Sequence, residues 1–326
     1  MTINVSVVVP TYQRPDFLER CLRALLSLDY DPAEYEILIA DDANSAVTRQ
    51  QVEDCARSAE LMGHTVRYLA ITGSVHGPAA ARNAGWRQAQ ADIIAFTDDD
   101  CIAELNWLRA GVAAFVDDVV GVSGKIVVPL QHEYTEYEYK ASLLSQAEFV
   151  TANCFYRRSA LQQVGGFDER FRVACCEDRD LFFTLLEHNL ICVKALEAVI
   201  LHPVRPTHRG SSLRQQQKSF YQALLFKKHP ALYRQRIQPT PPWNYYCILG
   251  VLLLLILGIV AKLWLLAGIA LCAWLYMIAR LCIQRLQKTS RKPEHVFEMI
   301  ITSTLIPPLS LFWRWLGMLR FGVFYL

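Results

Sequence analysis

The stretch Ile93-Ile94-Ala95-Phe96-Thr97-Asp98-Asp99-Asp100 decides the fold, because it joins an apolar run of strand character to three consecutive carboxylates. In open α/β sheets, ligands bind at the carboxyl ends of the strands. Adjacent carboxylates repel one another unless a cation joins them, and Mg²⁺ is commonly held by one or two carboxylates together with phosphate oxygens of a substrate. The stretch therefore predicts chemistry on a phosphorylated substrate, with a solvated acidic turn as the alternative.

Strands and helices alternate along the first part of the chain. Apolar runs at residues 5–9, 36–40, 65–71 and 93–97 predict buried strands, and the second of them also ends in carboxylates, at Asp41 and Asp42. Apolar residues at helical spacing predict helices between these strands, over residues 15–28, 46–61 and 79–89. This alternation indicates an α/β fold with a mostly parallel sheet.

The pattern changes after residue 115. Residues 120–128 and 149–156 alternate weakly and predict further strands, as does the run at residues 198–201. Gly165-Gly166-Phe167-Asp168 predicts a turn, since glycine tolerates positive φ. The acidic run Glu177-Asp178-Arg179-Asp180 opens a predicted helix, where its carboxylates either act chemically or only favour the helix N-terminus.

The charge of the chain is divided between two parts. Residues 1–197 carry 17 Lys and Arg against 29 Asp and Glu, a net charge of −12, whereas residues 198–326 carry 16 against 2, a net charge of +14. Apolar residues make up 53% of the chain, and the mean hydropathy is +0.18. An acidic body with a basic, apolar tail fits a soluble head held on an anionic membrane, because Lys and Arg attract acidic headgroups. We therefore expect a lipid bilayer as a partner and no nucleic acid.

The ten cysteines form no C-x-x-C pair, and three of them, Cys247, Cys272 and Cys282, lie in or beside the apolar tail. This scatter fits neither a zinc site nor a disulfide framework. The adjacent Cys175 and Cys176 are expected to be buried packing thiols. The cysteines therefore predict reduced, cytosolic surroundings. The apolar run at residues 5–9 is too short for a signal peptide and lacks its basic lead, so it is interpreted as the first strand.

Six motifs together resemble those of family-2 glycosyltransferases with the GT-A fold. They occur in the family's order and spacing, and they are Val7-Val8-Val9-Pro10-Thr11-Tyr12-Gln13-Arg14, Ile39-Ala40-Asp41-Asp42, Ala80-Ala81-Arg82-Asn83-Ala84-Gly85, Asp98-Asp99-Asp100, Gly165-Gly166-Phe167-Asp168 and Glu177-Asp178-Arg179-Asp180-Leu181. No single motif is decisive, but six in order are. The resemblance implies a nucleotide-sugar transferase domain with a mostly parallel sheet flanked by helices.

The resemblance also implies residues that bind the donor. Pro10, Thr11 and Tyr12 would line the pocket of the nucleotide base, and Asp42 would accept a hydrogen bond from the edge of the base. Arg82 would face the diphosphate.

A metal site is implied in the same way. Asp98 and Asp100 would hold Mg²⁺ or Mn²⁺ against both phosphates, with Asp99 nearer the sugar. The cation would neutralise the nucleoside diphosphate as it leaves. His202 follows a predicted strand and would be a third ligand, with a histidine that binds no metal as the alternative. His76 is interpreted as a loop residue.

The general base implied by the resemblance is Asp178, which would take the proton of the acceptor hydroxyl. An ordinary Asp has a pKa of about 3.9, and burial beside other carboxylates would raise that pKa towards a useful range. Asp168 and Glu177 would lie on the acceptor side. A single base on the face opposite the leaving group implies inversion at the anomeric carbon.

The tail predicts a transmembrane hairpin. Residues 245–279 contain only one charge, Lys262, and these 35 residues are too many for one perpendicular helix across a hydrocarbon core about 30 Å thick. Two helices that meet near Lys262 would rise about 26 Å and 28 Å. Basic residues flank the pair on both sides, so both ends are expected to face the cytoplasm. The alternative is a buried helical hairpin of a soluble core.

The segments around the hairpin complete the predicted organisation. Residues 299–313 are uncharged but contain Pro307 and Pro308, which favours an interfacial or re-entrant segment over a third span. Ahead of the hairpin, apolar and basic residues alternate as in an amphipathic linker. The predicted domains are 1–210 for catalysis, 211–242 for the interfacial linker, 243–283 for the transmembrane hairpin, and 284–326 for a basic loop with the interfacial or re-entrant segment.

These expectations describe a metal-dependent, inverting glycosyltransferase that moves one sugar from a nucleotide-diphosphate sugar to the hydroxyl of an acceptor, a lipid-linked saccharide. Gln215-Gln216-Gln217-Lys218 lacks the Q-x-x-R-W pattern of processive polysaccharide synthases, which favours a single transfer. We expect a multi-pass protein of the inner membrane with a cytoplasmic catalytic domain. The alternative enzyme is a polyprenyl-phosphate glycosyltransferase, and the alternative of another class is a catalytically silent nucleotide-binding membrane adaptor.

Overall fold

The computed structural model describes residues 3–130, 134–205 and 207–325, and it divides into two compact units. Met1–Pro129 and Ser142–Val204 form the first unit, and Leu130–Ala141 and Arg205–Leu326 form the second. The segment Leu130–Ala141, which the sequence analysis places in the catalytic domain, thus groups with the second unit.

The first unit is built on one sheet of eight strands. In chain order they are β1 (Val5–Thr11), β2 (Tyr35–Asp41), β3 (Thr65–Ala70), β4 (Ile93–Phe96), β5 (Ile102–Ala103), β6 (Val119–Val127), β7 (Cys154–Arg157) and β8 (Ile191–Leu201). Their order across the sheet is β3-β2-β1-β4-β7-β6-β8-β5. The half from β3 to β4 is parallel, as the sequence predicts. β7 runs antiparallel to both β4 and β6, so the whole sheet is mixed.

Helices flank this sheet. In chain order they are α1 (Pro15–Leu26), α2 (Ala46–Glu60), α3 (Pro78–Gln88), α4 (Trp107–Ala113), α6 (Arg158–Val164) and α7 (Glu177–Glu187). The helix α5 (Glu136–Ser142) lies mainly in the second unit. α1 and α3 each begin with proline, which is suited to this position because the first amide of a helix has no intrahelical partner. The three helices predicted between the first four strands are confirmed to within two residues at each end.

The core explains why the parallel strands can be predicted. All seven residues of β2 are buried, and so are Val5, Val7, Val8 and Val9 of β1. A strand that is covered on both faces reads as a continuous apolar run. The next residues along the chain then lie at one edge of the sheet, which positions the polar residues that follow β1, β2 and β4 close together.

The strand predicted over residues 149–156 is wrong in its first half, where the structure has a 3₁₀ turn, Thr151–Asn153, ahead of β7. The buried Asn153 side chain donates to the carbonyl oxygens of Lys125 and Ala198, both at 2.9 Å, and accepts from Nε1 of Trp107 at 2.8 Å. An asparagine that bonds to the backbone of neighbouring strands competes with the regular ladder. The turn is therefore set by tertiary contacts that the local pattern does not contain.

The second unit is helical in the residues that the structure describes. Besides α5 it contains α8 (Ser211–Arg214), α9 (Lys218–Lys228), α10 (Pro230–Arg236), α11 (Trp243–Val260), α12 (Trp264–Leu286) and α13 (Pro293–Phe321). By length and composition, α11, α12 and α13 could each cross a membrane. The two helices predicted to meet near Lys262 are confirmed as α11 and α12.

The continuity of α13 differs from the prediction, because Pro307 and Pro308 favour an interruption of this segment. The helix continues through both prolines. Buried residues at intervals of three and four, such as Met299, Ser303 and Ile306, pack it against the rest of the unit. This packing offsets the backbone hydrogen bonds that the prolines remove.

Candidate active site

The carboxylates of the triplet lie just beyond β4. The amide of Thr97 still donates to Val8 of β1, at 3.3 Å, and the three aspartates follow at the carboxyl edge of the parallel half of the sheet. Each of them has different surroundings. Asp98 is the most accessible, with 22% of its side chain exposed, whereas Asp99 and Asp100 are buried.

Asp99 is tied to the end of β1. Its Oδ2 accepts from the hydroxyl of Thr11 at 2.8 Å, and its Oδ1 accepts from Nη1 of Arg14 at 3.2 Å. Burial raises the pKa of Asp99, while Arg14 and Thr11 act to lower it. The hydroxyl of Thr11, which the sequence assigns to the base pocket, is thus engaged with a carboxylate of the triplet. Arg14 was given no role by the sequence reasoning.

Asp100 lies beside His202, the residue that follows β8. Their Oδ1 and Nε2 atoms are 3.8 Å apart, and together with Cys101 they offer ligand atoms within 4.8 Å of one another. Nδ1 of His202 is buried and has no hydrogen-bond partner in the described part of the chain. Burial, followed by the nearby aspartates, raises the pKa of the Cys101 thiol, so it stays protonated. Carboxylate and imidazole donors fit a divalent cation such as Mn²⁺.

Arg82 links the triplet to the start of α7. Its Nη2 donates to Oδ1 of Asp98 at 2.8 Å, and its Nη1 donates to Oε1 of Glu177 at 3.0 Å. Although burial acts to lower the pKa of Arg82, these two carboxylates raise it above its ordinary value. Only 3% of the Arg82 side chain is exposed. The sequence placed Arg82 at the diphosphate, and the structure shows it bridging two carboxylates.

Glu177 and Asp178 open α7 with different surroundings. Both oxygens of Glu177 are occupied, because Oε1 accepts from Arg82 and Oε2 accepts from the amides of Cys175 and Cys176, at 2.8 and 3.1 Å. Asp178 keeps some contact with solvent, and its Oδ1 accepts from the amide of Arg179 at 2.7 Å. Burial of the carboxyl, followed by the charge of Glu177, raises the pKa of Asp178 to about 7. A carboxylate with a pKa near 7 can act as a general base at neutral pH.

The Gly-Gly-Phe-Asp turn packs on α3 through Asn83. Oδ1 of Asn83 accepts from the amide of Phe167 at 3.0 Å, and its Nδ2 donates to the carbonyl of Phe167 at 2.8 Å. Gly166 has a φ of 76°, and a Cβ there would lie 2.6 Å from Oδ1 of Asn83. Asp168, which the sequence assigns to the acceptor side, forms an ion pair with Arg170 at 2.6 Å. Asn83 lies within a motif of the family, but the sequence alone indicates no role for it.

The residues assigned to the base pocket lie at the ends of β1 and β2. Tyr12 is 53% exposed, and Pro10 is half-buried. Asp42 accepts from the amide of Gly77 at 2.9 Å, and its other oxygen lies 3.0 Å from Nδ1 of His76. His76, interpreted as a loop residue, therefore belongs to the loop that Asp42 holds against the end of β2.

A cavity of substantial volume lies away from the carboxylates of the candidate site. A cavity of about 850 Å³ lies between α1 and α2, where it is lined by residues such as Leu22 and Val47. None of the carboxylates described above lines it. The candidate site is therefore defined by its chemistry, at the carboxyl edge of the sheet.

Two family models match the chain. The model described as glycosyl transferase family 2 matches residues 6–176, more than half of the chain, and the model described as glycosyl transferase family group 2 matches residues 93–283. The chain belongs to glycosyl transferase family 2. The first match includes every motif from β1 to the Gly-Gly-Phe-Asp turn, whereas Glu177, Asp178 and His202 lie beyond its last residue.

Curated relatives are also glycosyltransferases. The chain is 29% identical over 173 residues to glycosyltransferase AglE of Haloferax volcanii, a match that covers 50% of this chain and 55% of the relative. It is 28% identical over 97 residues to the GalNAc(5)-diNAcBac-PP-undecaprenol beta-1,3-glucosyltransferase of Campylobacter jejuni, covering 30% of this chain and 29% of the relative. The chain thus spans about half, or less, of the length of these relatives.

Two solved structures have the same GT-A fold. Mannosyltransferase PcManGT from Pyrobaculum calidifontis, in complex with GDP-Man and Mn²⁺, aligns with a TM-score of 0.59 and 17% identity over 93% of this chain and 87% of that chain. S. aureus TarS 1-349, in complex with UDP-GlcNAc, aligns with a TM-score of 0.53 and 18% identity over 99% of this chain and 93% of that chain. At this level of identity the likeness concerns the fold alone.

Proposed function

We propose that this family-2 glycosyltransferase is an inverting, metal-dependent enzyme that moves one sugar from a nucleoside diphosphate to a hydroxyl of a lipid-linked saccharide at the cytoplasmic face of the membrane. The observation that carries the proposal is the hydrogen-bonded chain from Asp98 through Arg82 to Glu177. It ties the carboxylates that follow β4 to the residue beside Asp178. The network thus supports a donor-binding edge with the assigned general base next to its last residue.

Donor binding is assigned to the carboxyl edge of the sheet. Asp98, Asp100 and His202 are the ligands that we assign to Mg²⁺ or Mn²⁺, which fits the carboxylate and imidazole donors. When bound, such a cation neutralises negative charge on the nucleoside diphosphate as it leaves. The Mn²⁺ in the PcManGT complex supports a divalent cation. Arg82 adds positive charge beside Asp98, where a diphosphate would lie.

The nucleotide is assigned to the ends of β1 and β2. The exposed ring of Tyr12 offers an apolar face for a base, and Pro10 adjoins it. The carboxylate of Asp42 is fixed by Gly77 and can accept a further hydrogen bond from a base edge. Thr11 and Asp99 support this pocket through their mutual hydrogen bond.

Asp178 is assigned as the general base. Its carboxylate takes the proton of the acceptor hydroxyl, and the hydroxyl oxygen forms a bond to the anomeric carbon. The bond from that carbon to the diphosphate oxygen breaks, and its electron pair leaves with the nucleoside diphosphate. Attack on the face opposite the leaving group inverts the anomeric centre. Glu177 is a positioning residue, because both of its oxygens are already bonded to protein groups.

The acceptor is assigned from the tail and one relative. α11 and α12 form an apolar hairpin of a length that fits a bilayer, and the Campylobacter jejuni relative is named for a sugar chain on undecaprenol. Asp168 orders the Gly-Gly-Phe-Asp turn through its ion pair with Arg170, and we place this turn on the acceptor side.

The decisive experiment replaces the base without changing its shape. The full-length protein in lipid nanodiscs is assayed as wild type and as Asp178→Asn. The donors are a panel of nucleotide sugars, and the acceptors are polyprenyl-diphosphate saccharides and polyprenyl phosphate. We expect Asp178→Asn to bind the donor normally and to transfer sugar about 10²–10⁴-fold more slowly. Asp54→Asn, which changes an exposed carboxylate on α2, is the matched control and should transfer at the wild-type rate.

The outcomes separate the alternatives. Transfer at the wild-type rate by Asp178→Asn would rule out Asp178 as the base. Transfer only to polyprenyl phosphate would show that the acceptor is the lipid phosphate and not a lipid-linked saccharide. Donor binding without turnover by the wild type, across all donors and acceptors, would favour the silent adaptor.

A further inference from the structure

α13 has two distinct faces. One face is buried within the second unit and includes His295, Met299, Ser303 and Arg314. The opposite face is apolar and exposed, and its residues recur at intervals of three, four and seven. They are Phe297, Ile301, Leu305, Phe312, Leu316 and Leu319. An apolar face that the unit leaves uncovered on a 29-residue helix needs a partner.

The first part of α13 contacts the end of α12 and the start of the linker. Nη1 of Arg285, in the last turn of α12, donates to Oγ of Ser303 at 2.7 Å. The amide of Gly210, immediately before α8, donates to Oε1 of Glu298 at 2.8 Å.

The last part of α13 contacts the start of α11 and the end of the linker. The ring of Trp315 lies 6.4 Å from the ring of Tyr246, in the first turn of α11. Nζ of Lys227, at the end of α9, donates to the carbonyl of Phe321 at 2.6 Å. Nη1 of Arg314 donates to Gln238, just ahead of α11, at 3.1 Å.

These contacts give the direction of α13 relative to the hairpin. Tyr246 and Arg285 lie at the same end of the antiparallel α11–α12 pair, the end remote from Lys262. α13 reaches this one end at Ser303 and again at Trp315, which are separated by twelve residues or about 18 Å of helix. A helix that ran parallel to the hairpin would reach the middle of the hairpin over that distance, whereas Trp315 contacts the first turn of α11. α13 instead crosses the base of the hairpin.

The linker gives an independent argument. Residues 210–228 lie along α13 from Glu298 to Phe321, since Gly210 bonds to the first and Lys227 to the second. This stretch carries Arg214, Lys218, Lys227 and Lys228. If α13 crossed a bilayer, these four cations would have to cross beside it, and a charge in the hydrocarbon core is strongly unfavourable.

We propose that α13 lies in the plane of the membrane surface, with its exposed apolar face in the headgroup–acyl boundary of an anionic bilayer. Its length and composition alone would also suit a third span. The contacts favour the surface position, and the basic residues of α9 and α10 would lie at the same level, where they attract acidic headgroups. The hairpin then provides both membrane crossings, and the C-terminus lies on the same side as the start of α11. The inference depends on the hairpin crossing the membrane and is independent of sugar transfer.

Protease-cleavable tags test the position of α13. One tag is placed at the N-terminus, one after Lys262 and one at the C-terminus of the full-length protein in sealed inner-membrane vesicles. We expect the two terminal tags to be cleaved from the same side and the tag after Lys262 from the opposite side. A C-terminal tag on the side opposite the N-terminal tag would show that α13 crosses, and would overturn the proposal.

A pair of double-lysine variants sharpens the test. Leu305→Lys with Phe312→Lys changes the exposed face of α13, and Leu253→Lys with Leu257→Lys changes two exposed positions of α11. If α13 is a surface helix, all three tags of the α13 variant should be cleaved from the same sides as in wild type, because long cationic side chains reach the headgroups. The α11 variant should change the side of the membrane from which the tag after Lys262 is cleaved. A displaced C-terminal tag in the α13 variant would contradict the proposal.

The lipid partner is tested by hydrogen exchange in nanodiscs of phosphatidylcholine, with and without phosphatidylglycerol. Amides of α13 should exchange several-fold more slowly with the anionic lipid, while those in the middle of α11 should be unchanged. Equal exchange of α13 in both lipids would overturn docking to an anionic surface.

Discussion

Nη2 of Arg82 lies 2.8 Å from Oδ1 of Asp98, and Nη1 of the same guanidinium lies 3.0 Å from Glu177. Arg82 is on α3, Asp98 follows β4, and Glu177 opens α7. One buried cation therefore fixes three segments that are far apart in the sequence. Since Arg82 and Glu177 are both almost fully buried, the removal of Arg82 would leave the Glu177 carboxylate without its cationic partner.

Arg82→Ala should destabilise the first unit strongly. Breaking a buried ion pair from one side costs about 3–5 kcal/mol, because the remaining carboxylates are no longer compensated. Arg87→Ala on the same helix is the matched control, since Arg87 pairs with Glu169 at a half-exposed position and should cost less than about 1 kcal/mol. Chemical denaturation of both variants checks this, and equal losses in the two would contradict the role of the buried network.

The rate of sugar transfer should rise with pH through about 7. Asp178 can accept a proton only when it is ionised, and burial with the charge of Glu177 raises its pKa to about 7. The measurement is the pH profile of kcat with a saturating donor. A profile that is flat from about pH 5 to about pH 9 would be inconsistent with Asp178 as the base.

The same pKa predicts how stability depends on pH. The pKa of Asp178 is higher in the folded state than in the unfolded chain, so the folded state binds more protons between about pH 4 and about pH 7. Stability from this group is greatest below that window and is lost as the pH rises through it. Asp178→Asn cannot ionise, so it should melt a few degrees higher than wild type at about pH 8 and show less difference at about pH 4. A lower melting temperature than wild type at about pH 8 would contradict the raised pKa.

The sequence predicts those parts of the fold that depend on local pattern. β1 and β2 are buried on both faces, and this burial is visible as continuous apolar runs that end in polar residues. These apolar runs therefore also predict which edge of the sheet carries Asp42 and the triplet. α13 shows the limit of local signals, because Pro307 and Pro308 suggest a break that packing overrides.

The hydrogen-bond partners of the site residues cannot be predicted from the local sequence pattern. Arg82 is separated from Glu177 by 95 residues, and no local pattern tells whether it faces a carboxylate of the protein or a phosphate of the donor. In the same way, the hydroxyl of Thr11 reaches Asp99 across 88 residues. Sequence reasoning can therefore place a residue at the correct edge of the sheet, while its hydrogen-bond partner depends on the tertiary structure.

Gly166→Ala should be much more destabilising than Gly165→Ala. Both glycines have positive φ, 76° and 83°, so each substitution carries the same left-handed strain, about 1–2 kcal/mol. A Cβ at Gly165 meets open space, whereas one at Gly166 would lie 2.6 Å from Asn83 and 2.8 Å from Trp86. The difference between the two variants in thermal denaturation isolates the close approach of Gly166 to Asn83 and Trp86. Equal melting temperatures would show that this contact does not hold the turn.

Removal of a proposed metal ligand should weaken donor binding only when metal is present. Asp100 and His202 lie 3.8 Å apart, and we assign both, with Asp98, to a divalent cation. Without that cation, the carboxylates after β4 repel a nucleoside diphosphate, so wild type should bind it at least about tenfold more weakly with chelator than with Mn²⁺.

His202→Ala should lose most of this difference between Mn²⁺ and chelator. His64→Ala is the matched control, because His64 is also largely buried but packs against Tyr35 at the edge of a ring. Calorimetric titration of a nucleoside diphosphate into each variant, with Mn²⁺ and then with chelator, gives the comparison. If wild type binds the diphosphate equally well in both conditions, the metal assignment is wrong. If wild type shows the effect of Mn²⁺ and His202→Ala retains it in full, the cation is held by the aspartates without the histidine.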